Sequence, residues 1–454
     1  MKKGFYTIML AQFFSSLADN ALFVAAVALL HAQGAHEWQR AALVPMFALF
    51  YVVLAPFVGA FADALPKGRV MFISNSIKVV GCLMMLFGHH PLLAYAVVGL
   101  GAAAYSPAKY GILTELLPPS QLVKANGWIE GLTITSIILG VVLGGQLMGP
   151  VLAPHLQAWL DGVGGLQAPS AAEAAIASIT VLYVVAAGFN LRIPRTVSHH
   201  HAMNAHPVAL VRDFVDCNRR LWRDRLGQIS LATTTLFWGV SGNLRYIVLA
   251  WAAVALGYDT TKASALVGVV AVGTAVGAVW ASMKMQLDRA TAVIPLGVGM
   301  GVLVLGMNFL RDVELTIPFM ILLGGLGGFL VVPMNALLQH RGHNLMGAGR
   351  SIAVQNFNEQ ACILLLGGPV SDESYRALEY SINRLGRLTH NMLLQAGLTM
   401  KDDPCEAALA IEFGTASLRM SYFLHQTITP LYIEAAGDAM IAFIEKRQAA
   451  AQGR

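Results

Sequence analysis

Eleven nearly uncharged blocks, each long enough to cross a bilayer as a helix, follow one another along the first 370 of 454 residues. A span needs about 20 mostly apolar residues. The blocks lie near residues 5–30, 41–62, 70–88, 91–113, 126–149, 173–193, 229–256, 262–283, 291–310, 315–338 and 351–370. They are continuously apolar, where the strands of a membrane barrel would alternate. A backbone in lipid must satisfy its own hydrogen bonds, so such blocks fold as a bundle of helices. Charged residues make up 12% of the chain, about half the share of a soluble domain. The chain therefore reads as an all-α polytopic membrane protein.

Lys2 and Lys3 before an apolar run look like the start of a secretory signal. The run is too long for one, and Asp19-Asn20 interrupts it, so an uncleaved first helix is the reading. Lys67, Arg69 and Lys124 lie on the same side as that N-terminus, with seven arginines between 192 and 225 and then Lys284, Arg289, Arg341 and Arg350. Excess Lys and Arg marks the cytoplasmic side. The expectation is a multi-pass membrane protein with its N-terminus and central loop in the cytoplasm. Its net charge of +5 belongs to topology and to contact with membrane lipids, and no nucleic-acid partner is expected.

Several classes fall away. Cys82, Cys217, Cys362 and Cys405 are scattered and form no CxxC pair, which argues against a disulfide framework and a zinc site. His199-His200-His201, with His206, has no acidic or cysteine partner close in sequence and reads as a solvated loop. Gly297-Val298-Gly299-Met300-Gly301 lies inside an apolar span with no strand before it, so these are packing glycines and not a nucleotide loop. No nucleophile–base arrangement and no phosphate loop is present. Neither enzyme activity, a cofactor nor a metal is expected.

The chain repeats itself. GLGAAAYSP (Gly99 to Pro107) returns as GLGGFLVVP (Gly325 to Pro333), Asp19-Asn20 has a counterpart in Gly242-Asn243, and Glu130 is echoed by Glu359. Any one pair could be chance among Gly-rich helices; three in order point to two copies of one bundle. Parallel repeats of this kind place a substrate path between the halves near the midplane. The boundaries read as an N-terminal bundle over 1–193, a basic cytoplasmic linker over 194–228, a C-terminal bundle of five spans over 229–370, and a tail over 371–454.

GAFADALPKGRVM, Gly59 to Met71, resembles the signature loop between the second and third spans of the major facilitator superfamily. Gly59 allows close helix approach. Asp63 can pair with Arg69 or with a helix end of the other bundle, and with Lys67 these residues make a candidate cytoplasmic latch. Ala64-Leu65-Pro66 lengthens and stiffens the usual turn. QFFSSLADNALF (Gln12 to Phe23), GAAAYSPAKYGIL (Gly101 to Leu113), LVKANGWIEG (Leu122 to Gly131) and GRSIAVQNFNE (Gly349 to Glu359) carry the resemblance further, to the lysophospholipid-transporter branch of that superfamily in Gram-negative bacteria. It covers about residues 5–360. It implies two six-helix bundles and the flipping of lysophospholipid, chiefly lysophosphatidylethanolamine, to the cytoplasmic leaflet. There a lysophospholipid acyltransferase/acyl-carrier-protein synthetase would restore the second chain.

Ionisable residues inside spans are functional candidates by default. Asp19, Glu130 and Glu359 are acidic, and Lys109 and Arg245 are basic, so both signs of a zwitterionic head group could be met. Arg245 offers paired donors for a phosphate, and Lys109 a second point charge. Asp19, with Asn20, would take the ammonium or close a gate against Arg245. Tyr105 and Asn356 lie in the two most specific stretches, and Pro107 and Pro333 are candidate helix kinks. Plainer readings stand beside these: Lys109 snorkels to the interface, Glu130 and Glu359 serve as gate or capping residues, and Tyr105 is an interfacial aromatic.

No normal twelfth span follows Gly368. The stretch 371–454 instead carries eight basic and ten acidic residues, with spacing that suggests amphipathic helices. Two other functions fit the same fold: a facilitator-type exporter of drugs or another small solute, and a membrane scaffold or lipid-binding regulator working through its tail.

Overall fold

A computed structural model describes residues 3–163, 170–194, 206–258, 260–307, 310 and 312–367, and among these every regular element is helical. The tail 371–454 and His199-His200-His201 lie outside the described residues. The first eight helices are α1 (Lys3–Ala32), α2 (Glu37–Val53), α3 (Ala55–Ala64), α4 (Lys67–Leu86), α5 (Pro91–Leu116), α6 (Pro119–Leu147), α7 (Ala153–Val163) and α8 (Ala171–Leu191). Then come α9 (Pro207–Arg223), α10 (Arg225–Leu256), α11 (Thr260–Lys284), a 3-10 turn (Leu287–Val293), α12 (Ile294–Gly306), α13 (Val313–Met346) and α14 (Ala348–Gly367). Among the described residues, seven helices are long and apolar enough to cross a membrane, and the bent pair α2–α3 makes an eighth.

Local chemistry sets the ends. Pro91, Pro119 and Pro207 open α5, α6 and α9 at positions where the missing N–H costs nothing. Ser170 and Glu173 form a capping box at α8. Asp224 caps α10 by accepting from the Gly227 N–H at 2.8 Å. Gly257, at φ 63°, ends α10 in the left-handed conformation.

The span predicted as one piece over 41–62 is broken. α2 and α3 meet at Leu54 with a 63° bend, and Pro56 stands at the start of α3. Proline cannot continue the hydrogen-bond ladder of the preceding turn, so the helix restarts there. The linker contains a helix as well. In α9, Leu210, Phe214, Cys217 and Leu221 are buried at helical spacing, and the Phe214 ring packs edge-on against Phe357 of α14 at 5.2 Å.

α1, α4, α5, α6 and α8 pack on one another, as do α10, α11, α13 and α14. The two sets meet where α6 lies along α11 and α14 lies along α3 and α5.

Candidate functional site

Three polar clusters among the described residues sit inside this bundle. The first belongs to the N-terminal set alone. Asp19, midway along α1, accepts from Lys78 Nζ with both carboxylate oxygens at 2.8 Å, and Tyr183 Oη donates to it at 2.7 Å. Lys78 also reaches Ser15 Oγ at 3.1 Å, and its ammonium lies 5.0 Å from the Tyr105 ring centre and 5.5 Å from that of Tyr183. Ser15 Oγ in turn donates to Asn75 Oδ1 at 2.8 Å. Asn20 turns back on its own helix, donating to the Ser16 carbonyl at 2.8 Å. Asp19 thus meets Lys78, a partner that the sequence pattern does not announce. Arg245 falls on α10, and its side chain lies outside the described residues. Tyr105 is buried beside Lys78 rather than standing at an interface.

The second cluster crosses between the sets. Tyr110 Oη donates to Glu130 Oε1 at 3.0 Å, and Asn335 Nδ2 approaches the same oxygen at 3.5 Å. Gln355 Nε2 donates to Asn335 Oδ1 at 2.9 Å and to Glu359 Oε1 at 2.8 Å. The two glutamates matched in the repeat are therefore ends of one polar chain through α6, α13 and α14. Lys109 is buried, 3.3 Å from Thr133 Oγ1 and 4.6 Å from the Tyr110 ring centre. Burial among protein groups is not snorkelling, so the interfacial reading of Lys109 is corrected here. Nearby, Asn356 Nδ2 donates to Ser106 Oγ at 2.8 Å, and Asn126 and Gln339 exchange bonds at 2.9 and 2.7 Å. Pro107 and Pro333 lie inside α5 and α13, and both are buried.

The third cluster closes the end of the molecule that bears the N-terminus. Asp63 Oδ1 accepts from the Gly349 N–H at 2.7 Å, and Oδ2 from the Arg350 N–H at 3.0 Å. A carboxylate on the first N–H groups of α14 satisfies donors that no helix can satisfy internally, and it meets the positive end of the helix dipole. Gly347, at φ 97°, turns the chain between α13 and α14 so that this helix start faces Asp63. Gly59 approaches so closely that a Cβ there would stand 2.8 Å from the Ala353 Cβ. The cation on Asp63 is Lys67, at 2.8 Å, with Glu115 at 3.3 Å on its other side. Arg69, expected from the sequence as a partner, is exposed. Arg350 instead faces Asp63 at 3.5 Å while its Nε donates to Asp213 of α9 at 2.7 Å.

A membrane-spanning helical bundle in two packed sets, with a carboxylate of one seated on a helix start of the other, fits the build of a multi-pass transporter. The chain belongs to the Major Facilitator Superfamily, whose family model matches residues 8–361. Among its relatives is the lysophospholipid transporter LplT of Yersinia enterocolitica serotype O:8, 41% identical over 369 residues, 81% of this chain and 86% of the relative. The Yersinia pestis (strain Pestoides F) protein of that name is 40% identical over 370 residues, with the same coverage. Among solved structures, the human organic anion transporter MFSD10 (TETRAN) superposes with a TM-score of 0.64 at 13% identity, covering 93% of this chain and all of that one. A bacterial homologue of the iron transporter ferroportin, in an outward-facing state, gives 0.60 at 14% identity over 94% of this chain and 100% of its own. These superpositions speak for the fold.

Proposed function

We propose that this chain carries lysophospholipids, chiefly lysophosphatidylethanolamine, across the bacterial inner membrane to the cytoplasmic leaflet by alternating access, with its N-terminus in the cytoplasm. The relatives named as lysophospholipid transporters carry this reading. Asp19 meets the ammonium, and Arg245 the phosphate, with Lys109 as a further cation on the path. Glu130, Asn335, Gln355 and Glu359 form the seam that must part for release. Asp63, Gly59 and Lys67 hold the cytoplasmic end shut. In that leaflet an acyltransferase/acyl-carrier-protein synthetase consumes the delivered lipid. The bundles 1–193 and 229–370 move against each other about the linker 194–228.

The test is uptake of labelled lysophosphatidylethanolamine by spheroplasts. A charge-assisted hydrogen bond contributes about 1.5–3 kcal/mol, so Arg245→Ala lowers affinity roughly tenfold to a hundredfold. Arg245→Lys keeps the charge without the planar fork and loses less. Efflux of hydrophobic drugs with no lysolipid uptake by the wild type would mean a facilitator-type exporter instead.

A further inference from the structure

We propose that Lys78 is a specificity-determining residue: it neutralises Asp19 from below and so sets which head-group charge the site accepts. The inference rests on the reading of Asp19 as a head-group contact.

Asp19 keeps 22% of its side chain exposed, whereas Lys78 keeps 1%. Ionisable residues inside spans face the bundle interior or a water-filled cavity, and of this pair the acidic end is the accessible one while the basic end is hidden. Lys78 is built in. It holds both oxygens of Asp19 at 2.8 Å, leans on Ser15, and has aromatic faces of Tyr105 and Tyr183 within 5.5 Å. Gly101 makes the room, because a Cβ there would stand 2.7 Å from the Lys78 Cγ and 2.7 Å from the Ser74 carbonyl. Tyr105 follows one turn later on α5 and places its ring beside the ammonium. Two residues of the sequence stretch GLGAAAYSP are thus accounted for by one buried lysine.

The consequence is electrostatic. Alone, Asp19 would attract a cationic group and repel an anionic lipid. With Lys78 bound to both oxygens, the pair has no net charge and remains a dipole. It can orient an ammonium without rejecting a head group that lacks one. Lys78 therefore acts through Asp19, by position and charge, without touching the substrate.

The experiment uses the full-length protein in proteoliposomes, with labelled lysophosphatidylethanolamine as the zwitterionic probe and labelled lysophosphatidylglycerol as the anionic one. The quantity read is the ratio of their uptake, set against the wild-type ratio. Lys78→Met leaves Asp19 unpaired and lowers anionic relative to zwitterionic uptake by about tenfold, because like charges now face each other. Asp19→Asn leaves Lys78 unpaired and shifts the ratio the opposite way. The double variant Asp19→Asn/Lys78→Met returns the ratio towards wild type even where total uptake is low, and Lys78→Arg keeps it. A purely structural role predicts that Lys78→Met lowers both lipids in proportion, and that result overturns the proposal. If Lys78→Met does not insert, Asp19→Asn and the double variant decide: an unchanged ratio in Asp19→Asn also overturns it. Wild-type liposomes that take up neither lipid overturn the functional reading itself, a separate and recognisable failure.

Discussion

Asp19 with Lys78 and Asp63 with Lys67 are two carboxylate–lysine pairs that are chemically alike. Both are joined at 2.8 Å, and both lysines are almost fully buried. What separates them is where the remaining bonds go. Asp19 is held by Lys78 and Tyr183, so its partners stand on α4 and α8 of its own set. Asp63 gives its oxygens to the backbone of α14 in the other set. A rocking motion of one set against the other leaves the first pair intact and must break the contact that the second makes. The same chemistry thus ties helices within one set in one place and joins the two sets in the other, and location relative to the seam decides which.

The largest effect is expected where the seam carries charge. Asp63→Asn removes the charge from the start of α14 and leaves Lys67 with Glu115 as its carboxylate. The bonds that cross the seam are those from the Gly349 and Arg350 N–H groups. Each charge-assisted bond contributes about 1.5–3 kcal/mol and the amide oxygen keeps part of one, so the loss is about 3 kcal/mol. About 3 kcal/mol lowers the closed population more than a hundredfold. Transport slows because the cycle stalls, while lysolipid binding is largely retained. Spin-label distances between α4 and α13 at the N-terminal end should lengthen. Distances that stay short, with uptake at the wild-type rate, would end the latch role.

The Asp63 contact is legible in the amino-acid sequence, but only in part. The glycine, the aspartate and the basic turn between two apolar blocks mark a charged helix end that can meet Arg69 or a helix end of the other bundle, without saying which helix end. The pairing is not legible, because Lys67 and Arg69 are two residues apart and only the fold turns Lys67 inward. Lys78 is hidden for a related reason. Its block, 70–88, is apolar enough to pass as a plain span, and the lysine reads as one polar residue among Ser74, Asn75 and Ser76. That cluster midway along a span is the available signal. Pro56 likewise announces the break at Leu54. The interior polar chain from Glu130 to Glu359 needs Asn335 and Gln355, two amides that look ordinary on any helix.

A neutral bond across the seam sharpens the comparison at a lower magnitude. Asn126 of α6 and Gln339 of α13 are both buried and exchange two hydrogen bonds. Replacing either by leucine strands its partner and costs about 1–3 kcal/mol, whereas replacing both removes the unmet groups. The closed population, read from the same labels, should fall about tenfold in each single variant and recover in the double. Equal falls in all three would mean that the pair serves packing and not polar satisfaction.

The smallest effect belongs to a pair that is neither deeply buried nor across the seam. Arg341 of α13 donates from Nε at 3.0 Å and from a terminal nitrogen to Asp224, the cap of α10, so all these elements travel together. This hydrogen bonding holds the Asp224 carboxyl below its ordinary value. A carboxyl whose value is lower folded than unfolded adds stability above the unfolded value, about 3.9 for aspartate. The gain is lost as pH falls through the lowered value. Partly exposed pairs contribute about 0.2–1 kcal/mol. Arg341→Gln should therefore lower the unfolding temperature slightly at pH 7, converge with the wild type in strong acid, and leave the transport rate unchanged at neutral pH. A fall in rate as deep as that of Asp63→Asn would break the rule drawn from the two buried pairs, since it would assign gating to a bond that no relative motion of the two sets disturbs.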